Sequence, residues 1–301
     1  MANTLVDFSN CIADAVERAG QSIVALREGG AHGVSGTLWA PDVIVAAEHT
    51  IRGQEELTAI TLPSGRSAKG QVAGRDPGTD LAVIKLTEHG GVAAELADTV
   101  QARVGHVVLA VGRREDGLSA SYGVISAVGG PWRTWQGARV DRYFRLDLLP
   151  YPGFSGGPLI DAQGRVLGIN TSGPRRSVLT IPASTVDRVV RQLLEKGRVP
   201  QGYLGAGFQS VRLPKGLGNV EGQHGLGLLV VKVVPEGPAE RGGLLVGDIV
   251  LALDGKALAD PADVQTALDP ERVGKPVRLQ LLRGGKVAEI GVTVGERPGS
   301  E

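Results

Sequence analysis

Cys11 is the only cysteine in 301 residues, so no intrachain disulfide can form and the fold must stand on its cores alone. Charge of one sign is missing as well. Lys and Arg number 32 and Asp and Glu number 32, a formal net charge of zero. A protein that tracks nucleic-acid phosphates needs a basic excess, so nucleic acid is excluded as the expected partner. The same balance excludes an acidic disordered tail. No apolar run approaches the roughly 18 residues of a membrane span, so none is expected. The first twenty residues lack a basic stretch followed by a continuous apolar one, the pattern of a secretory leader. The expected location is therefore cytoplasmic. One cysteine and scattered histidines give no zinc spacing, and Gly33-Val34-Ser35-Gly36 and Gly112-Arg113-Arg114 do not make a phosphate loop. The expectation is no metal and no cofactor. Internal repeats and low-complexity tracts are absent too.

What is abundant is glycine, 45 residues or about 15%, roughly double ordinary usage. Spread among short Val, Ile and Leu runs, it predicts many strands joined by tight turns. The N-terminus reads as an amphipathic helix, with Phe8, Ile12, Ala15, Val16 and Ala19 at spacings of three and four and Asp7 or Ser9 as cap. A dozen strand candidates follow between residues 22 and 185, which predicts paired barrels or a sandwich. A helix capped by Ser184 or Thr185 comes next, with Val186, Val189, Val190, Leu193 and Leu194 as its apolar stripe and Gly197 as its stop. The texture changes after Val199-Pro200-Gln201-Gly202. Strands then alternate with two short helices, Pro238–Arg241 and Pro261–Leu268, the second capped by Asp260. The length exceeds what one core usually fills, so two domains are expected, 1–198 and 199–301.

Gly153-Phe154-Ser155-Gly156-Gly157-Pro158 is the strongest chemical signal. Glycines let neighbouring amides converge on one spot, and two such donors stabilise an acyl-transfer oxyanion. A serine nucleophile also needs a base, and the base a carboxylate. Among five histidines, His89 lies in a turn, His106 at a strand edge, and His32 and His224 in glycine-rich loops. His49 ends the apolar strand Val43–Ala47, where a sheet holds it and solvent can reach it. Asp80 stands at the mouth of the strand Leu81–Leu86. By itself it reads equally well as a turn aspartate. His49, Asp80 and Ser155 in that order match the chymotrypsin-type arrangement. Trp132 and Trp135 read as loop packing or as a regulatory loop. Arg175 and Arg176 read as a solvated hairpin tip or as substrate contacts.

Over nearly its whole length the chain resembles the HtrA/Deg serine proteases, trypsin-like peptidases with a C-terminal PDZ module. The blocks are Gly36-Thr37-Leu38-Trp39 with Ala47-Glu48-His49-Thr50-Ile51, Asp76-Pro77-Gly78-Thr79-Asp80-Leu81-Ala82-Val83, and Pro152-Gly153-Phe154-Ser155-Gly156-Gly157-Pro158-Leu159. Gly168-Ile169-Asn170-Thr171 resembles a segment flanking the substrate pocket, and Gly202-Tyr203-Leu204-Gly205 and Gly247-Asp248-Ile249-Val250 are similar to PDZ segments. The resemblance implies a double β-barrel followed by a small α+β PDZ domain. It implies a serine endopeptidase acting on misfolded or tagged polypeptides, with His49, Asp80 and Ser155 as triad. The amides of Gly153 and Ser155 would form the oxyanion hole. The family usually has Asn where this chain has Phe154. Leu148 and Leu149 would give an apolar pocket beside Asn170 and Thr171, with Asp147 structural. In the PDZ domain, Tyr203, Leu204, Gly205, Ala206 and Phe208 on one side and Val264 and Leu268 on the other would bind C-terminal or extended peptides. A homotrimer joined through N-terminal segments, with Phe8 as a contact, is implied as well. The rival reading is a catalytically silent PDZ adaptor, or a chaperone-like scaffold that keeps the protease fold.

Overall fold

The computed structural model describes residues 4–27, 33–51, 53–114, 116–134, 137–149, 151–173, 178–213 and 225–297. His32, Trp135, Arg175, Arg176 and His224 lie outside the described residues. The chain divides into two compact units, Met1–Val199 and Pro200–Glu301.

The first unit opens with helix α1 (Thr4–Gly20), longer at its start than the sequence suggests. Asp7 and Ser9 therefore sit inside the helix, Asp7 in its first turn. The expected stripe is the packed one, as Ala15 and Ala19 are buried with Ile12 and Val16 beside them. Six strands follow: β1 (Ile23–Leu26), β2 (Val34–Ala40), β3 (Val43–Ala47), β4 (Glu56–Thr61), β5 (Ser67–Asp76) and β6 (Leu81–Leu86). They close into a barrel in the order β1-β2-β3-β6-β5-β4. Val24, Leu26, Leu38, Ile44, Ile60 and Ile84 fill it. The outward residues Val43, Val45, Leu81 and Val83 are covered by another cluster that contains Ile169, Ile181, Val186 and Val189. Both faces of β3 and β6 are thus dry, which is why these strands read as nearly unbroken apolar runs.

The second sheet uses β7 (Val107–Arg114) and β8 (Gly117–Gly129), then, beyond a short ribbon of β9 (Trp132–Arg133) and β10 (Arg139–Val140), β11 (Tyr143–Asp147), β12 (Pro158–Asp161), β13 (Val166–Ser172) and β14 (Val178–Pro182). Its order is β11-β8-β7-β12-β13-β14, and its edge strands β11 and β14 come together, so the sheet curls toward closure. Val108, Ile125, Phe144, Leu159 and Leu167 are among its core. Helix α2 (Ala183–Lys196) follows and buries Val186, Val189, Val190 and Leu193, and Gly197 ends it at φ 70°. Its cap position is Pro182, two or three residues before the expected Ser184 or Thr185. Thr185 is inside the helix, and its hydroxyl donates to Asp141 Oδ2 and accepts from the Asp141 amide.

The second unit carries β15 (Gly202–Tyr203), β16 (Ala206–Arg212), β17 (Leu226–Val233), α3 (Pro238–Arg241), β18 (Ile249–Leu253), β19 (Lys256–Ala257), α4 (Pro261–Ala267), β20 (Pro276–Arg283), β21 (Lys286–Thr293) and β22 (Gly295–Glu296). The main sheet runs β16-β17-β18-β20-β21, leaving β16 at an edge. Asp260 caps α4 in a reciprocal box with Asp263, as its sequence position suggests. The expected strand from Tyr203 is broken at Leu204 and Gly205, because Gly205 takes φ 76° and turns the chain before β16 begins.

Candidate active site

His49, Asp80 and Ser155 come from three turns at strand ends. His49 lies in the helical turn Glu48–Thr50 that closes β3. Asp80 precedes β6 at φ 58°, a left-handed conformation that side chains other than glycine seldom adopt. β3 and β6 are neighbours, with Ala47 opposite Leu81, so their ends place the two residues side by side. The contact is twofold. His49 Nδ1 is 2.6 Å from Asp80 Oδ2, and the His49 amide donates to Oδ1 at 2.9 Å. One carboxylate therefore fixes both the ring and the backbone that carries it. The other ring nitrogen, Nε2, is 3.4 Å from the hydroxyl of Ser172.

Burial alone would raise the Asp80 pKa. The ring and amide of His49 and the imidazole charge outweigh it, with help from Thr171, and hold the carboxyl below its ordinary 3.8. The buried Thr171 hydroxyl faces this carboxylate, and among the described residues it has no partner at normal hydrogen-bond geometry. Nearby Asp76 goes the other way, raised by burial despite hydrogen bonds from Thr79 and the Gly78 amide.

Ser155 sits in the loop between β11 and β12. Gly153 and Gly156 in that loop adopt φ 96° and 83°. The Phe154, Gly156 and Gly157 amides donate to Tyr151, Asn170 and Phe154 carbonyls at 3.3, 2.8 and 2.9 Å. Among the described residues no backbone acceptor takes the amides of Gly153 and Ser155. Phe154 turns inward, 3% exposed, with its ring edge-on to Tyr151 at 5.6 Å. The side chain that replaces the family's usual Asn is thus buried against Tyr151 and beside Gly112 of β7.

The expected apolar pocket is different from what the leucines build. Leu149 is 70% exposed, and Leu148 packs against the cluster of Phe144 and Leu167. Strand β11 ends at Asp147, so neither leucine is held in the sheet, and even a continued strand would send these adjacent side chains to opposite faces. Asn170 and Thr171 are buried on β13 behind the serine loop, and Asn170 exchanges backbone hydrogen bonds with Gly156 and Gly157. The sequence reading missed three residues here. They are Ser172, Thr180, whose hydroxyl donates to Asn170 Oδ1 at 2.8 Å, and Ser35, whose hydroxyl reaches the Gly153 carbonyl. A lone Ser or Thr in a strand carries no local signal of such a role.

In the second unit, Leu204, Val264 and Leu268 join one buried cluster, with Ala206 and Phe208 packed against it. Leu268 is just past the end of α4 and caps it. Tyr203 is half-buried on β15, and Gly205 makes the turn between β15 and β16. The carbonyls of Leu204 and Gly205 accept from Ala239 and Val234, both at 2.7 Å. Among the described residues no backbone hydrogen bond uses the Leu204 or Gly205 amides. Those amides lie at the end of edge strand β16.

This fold and site are those of a trypsin-like peptidase domain followed by a PDZ domain. Residues 34–169 match the trypsin-like peptidase domain and residues 202–294 the PDZ domain. Over 272 residues the chain is 31% identical to a putative serine protease HhoA of Synechocystis, covering 84% of this chain and 68% of that protein. It is 31% identical over 275 residues to a probable periplasmic serine endoprotease, DegP-like, of Brucella suis, covering 88% of this chain and 52% of that one. The chain therefore spans about half the length of such relatives. The solved structure of the HtrA-type protease AlgW with a tripeptide superposes at a TM-score of 0.74, with 30% identity over 96% of this chain and 98% of that one. AlgW with a decapeptide gives 0.76 and 26% identity, covering 96% and 99%. The chain belongs to the HtrA/Deg family of trypsin-like serine proteases.

These relatives correct the cytoplasmic expectation, since the DegP-like proteins of Brucella suis and Halomonas elongata are named periplasmic. The physical reason lies in α1. Residues 4–20 form a helix packed on the second sheet, so their pattern reports how they fold and carries no information about compartment. Among the described residues no helix is long and apolar enough to cross a membrane.

Proposed function

We propose that this protein is a periplasmic serine endopeptidase of polypeptides, with Ser155 as nucleophile, His49 as general base and acid, and Asp80 as the orienting carboxylate. The observation that carries the reading is the double Asp80–His49 contact beside a glycine loop whose Gly153 and Ser155 amides meet no backbone acceptor among the described residues. On substrate binding Nε2 exchanges its Ser172 neighbour for the Ser155 hydroxyl. Contacts of this kind are often loose in a substrate-free site. Ser155 Oγ attacks the scissile carbonyl while Nε2 takes its proton. Asp80 stabilises the imidazolium, and the two amides receive the oxyanion. His49 then protonates the leaving amine, and water attacks the acyl-enzyme by the same route in reverse. Asn170 and Thr171 stand behind the loop as walls for the substrate side chain.

The module at 200–301 serves as the docking site. A peptide would add to edge strand β16, its carboxylate on the Leu204 and Gly205 amides and its terminal side chain over Leu204, Ala206, Phe208, Val264 and Leu268. AlgW with bound peptides supports a peptide ligand of this kind. A homotrimer accords with Leu5, Val6 and Phe8, all exposed on α1, and with Tyr122, whose ring lies edge-on to Phe8 at 6.3 Å. Phe8→Ala should shift the sedimentation coefficient toward that of a monomer. A monomeric wild type would remove this part of the reading.

The deciding experiment is labelling with a fluorophosphonate, together with casein cleavage. Ser155→Ala should lose both while its thermal melt stays unchanged. Cleavage that survives Ser155→Ala would overturn the assignment. A wild type that neither labels nor cleaves, with or without a PDZ-binding peptide, is the silent adaptor or scaffold instead.

A further inference from the structure

We propose that Ser35 is a positioning residue for catalysis, setting the oxyanion-binding loop through its buried hydroxyl. The proposal rests on the reading of Ser155 as nucleophile. Ser35 lies near the start of β2 and is 0% exposed. Its hydroxyl is 2.6 Å from the Gly153 carbonyl, 2.9 Å from the Arg113 amide and 3.4 Å from the Arg113 carbonyl. The direction of each bond follows from chemistry. The Arg113 amide can only donate, so it fills a lone pair of the hydroxyl. The single hydroxyl proton must then go to a carbonyl, and Gly153 at 2.6 Å outcompetes Arg113 at 3.4 Å. Ser35 also uses its backbone, donating its amide to the Ser155 carbonyl at 3.2 Å. One residue of the first barrel thus grips two positions of the serine loop.

The grip bears on the oxyanion hole. Gly153 has φ 96°, and a glycine between two peptides is a swivel. The Gly153–Phe154 peptide is held at both ends, its carbonyl by Ser35 and its N–H by the Tyr151 carbonyl at 3.3 Å. With that side fixed, the Gly153 amide loses much of its freedom and stays turned to where the oxyanion will form. Close approach of the parts is built in. A Cβ on Gly112 would stand 2.7 Å from the Phe154 ring, 3.0 Å from Ser35 Oγ and 3.2 Å from the Gly153 carbonyl. A side chain on Gly156 would collide with the Ser35 carbonyl. The Gly33-Val34-Ser35-Gly36 segment, useless as a phosphate loop, has a use in this contact.

A residue that sets an oxyanion donor affects the transition state and leaves ground-state binding alone. Removing one such donor outright costs about 100- to 1000-fold in kcat, so loosening it should cost about 10- to 100-fold. The test takes the full-length protein and a peptide substrate read from its own casein cleavage sites. Ser35→Ala should lower kcat by about 10- to 100-fold with KM within about twofold. A trifluoromethyl ketone of the same peptide, which forms a hemiketal oxyanion on Ser155, should weaken by the same factor. The product peptide should bind as before. Ser35→Thr keeps the hydroxyl and should recover most of kcat, whereas Ser35→Val, the same shape without it, should not. Wild-type kcat in Ser35→Ala overturns the proposal. So does an equal loss of ketone and product-peptide affinity, which marks a merely structural role. Should Ser35→Ala fail to fold, the Thr and Val pair decides, and equal kcat in both overturns it. A wild type without activity would instead sink the proposed function.

Discussion

At the scale of single residues, Asp80 combines an unusual backbone with a demanding electrostatic task. Its φ of 58° costs about 1 kcal/mol or more, offset by bonds to the ring and amide of His49. Asp80→Asn should keep this geometry and lower kcat by about 10,000-fold, because an amide favours the wrong imidazole tautomer. A loss under tenfold in steady-state cleavage would mean that another group orients His49. The same residue has a pH signature. Its folded pKa lies below the ordinary 3.8, so the stability it contributes is full above that value. That stability is lost as pH falls through the folded pKa. Thermal melts from pH 7 to pH 2 should show an acid decline that Asp80→Asn makes shallower. The aspartate block was legible because its sequence is dense with turn residues, Asp76-Pro77-Gly78-Thr79. The split between Asp80, held charged, and Asp76, pushed toward neutrality, was not legible. It depends on His49, 31 residues away, and on how far each carboxyl is buried.

At the scale of elements, helix ends were the least legible feature. A short helix such as α4 draws little from its own backbone and much from its cap. Asp260 accepts from the Ala262 amide at 2.8 Å, and Asp263 accepts from the Ala259 and Asp260 amides at 2.8 Å. Here Asp-Pro-Ala-Asp announced the helix start correctly. In α2 the cap residues misled, because Thr185 spends its hydroxyl on Asp141 across 44 residues and the helix starts upstream of it. Asp260→Ala should cost the second unit about 1 kcal/mol. Urea denaturation of the full chain, followed by a signal specific to residues 200–301, would measure it. Val264 and Leu268 lie on and just beyond this helix, so peptide affinity should fall along with stability. A variant as stable as the wild type would show that packing, with Val264 and Leu268 in the core cluster, holds α4 without its cap.

At the scale of the whole molecule, the proposed recognition and the proposed hydrolysis fall in separate compact units, so each can be tested by itself. In the Ser155→Ala background, calorimetry of the full chain with peptides ending in Val or Leu should give clearly weaker binding for C-terminal amides than for free acids. The proposal puts the carboxylate on the Leu204 and Gly205 amides, which no backbone acceptor takes among the described residues. Equal affinity for both forms would mean that the groove reads internal segments. The sequence by itself determined the fold class, the family, and the order in which histidine, aspartate and serine blocks occur. Those features are local: runs of alternating or unbroken apolar residues, and glycines where the chain must turn. Only the tertiary structure decided what surrounds the site. It placed Leu149 in solvent, sent Phe154 inward and joined Thr180 to Asn170. It also brought Ser35 to Gly153 across 118 residues. The reason is physical. A strand's pattern reports which face is buried, whereas a hydrogen-bond partner or a pocket wall is set by whichever distant strand the closed barrel brings alongside.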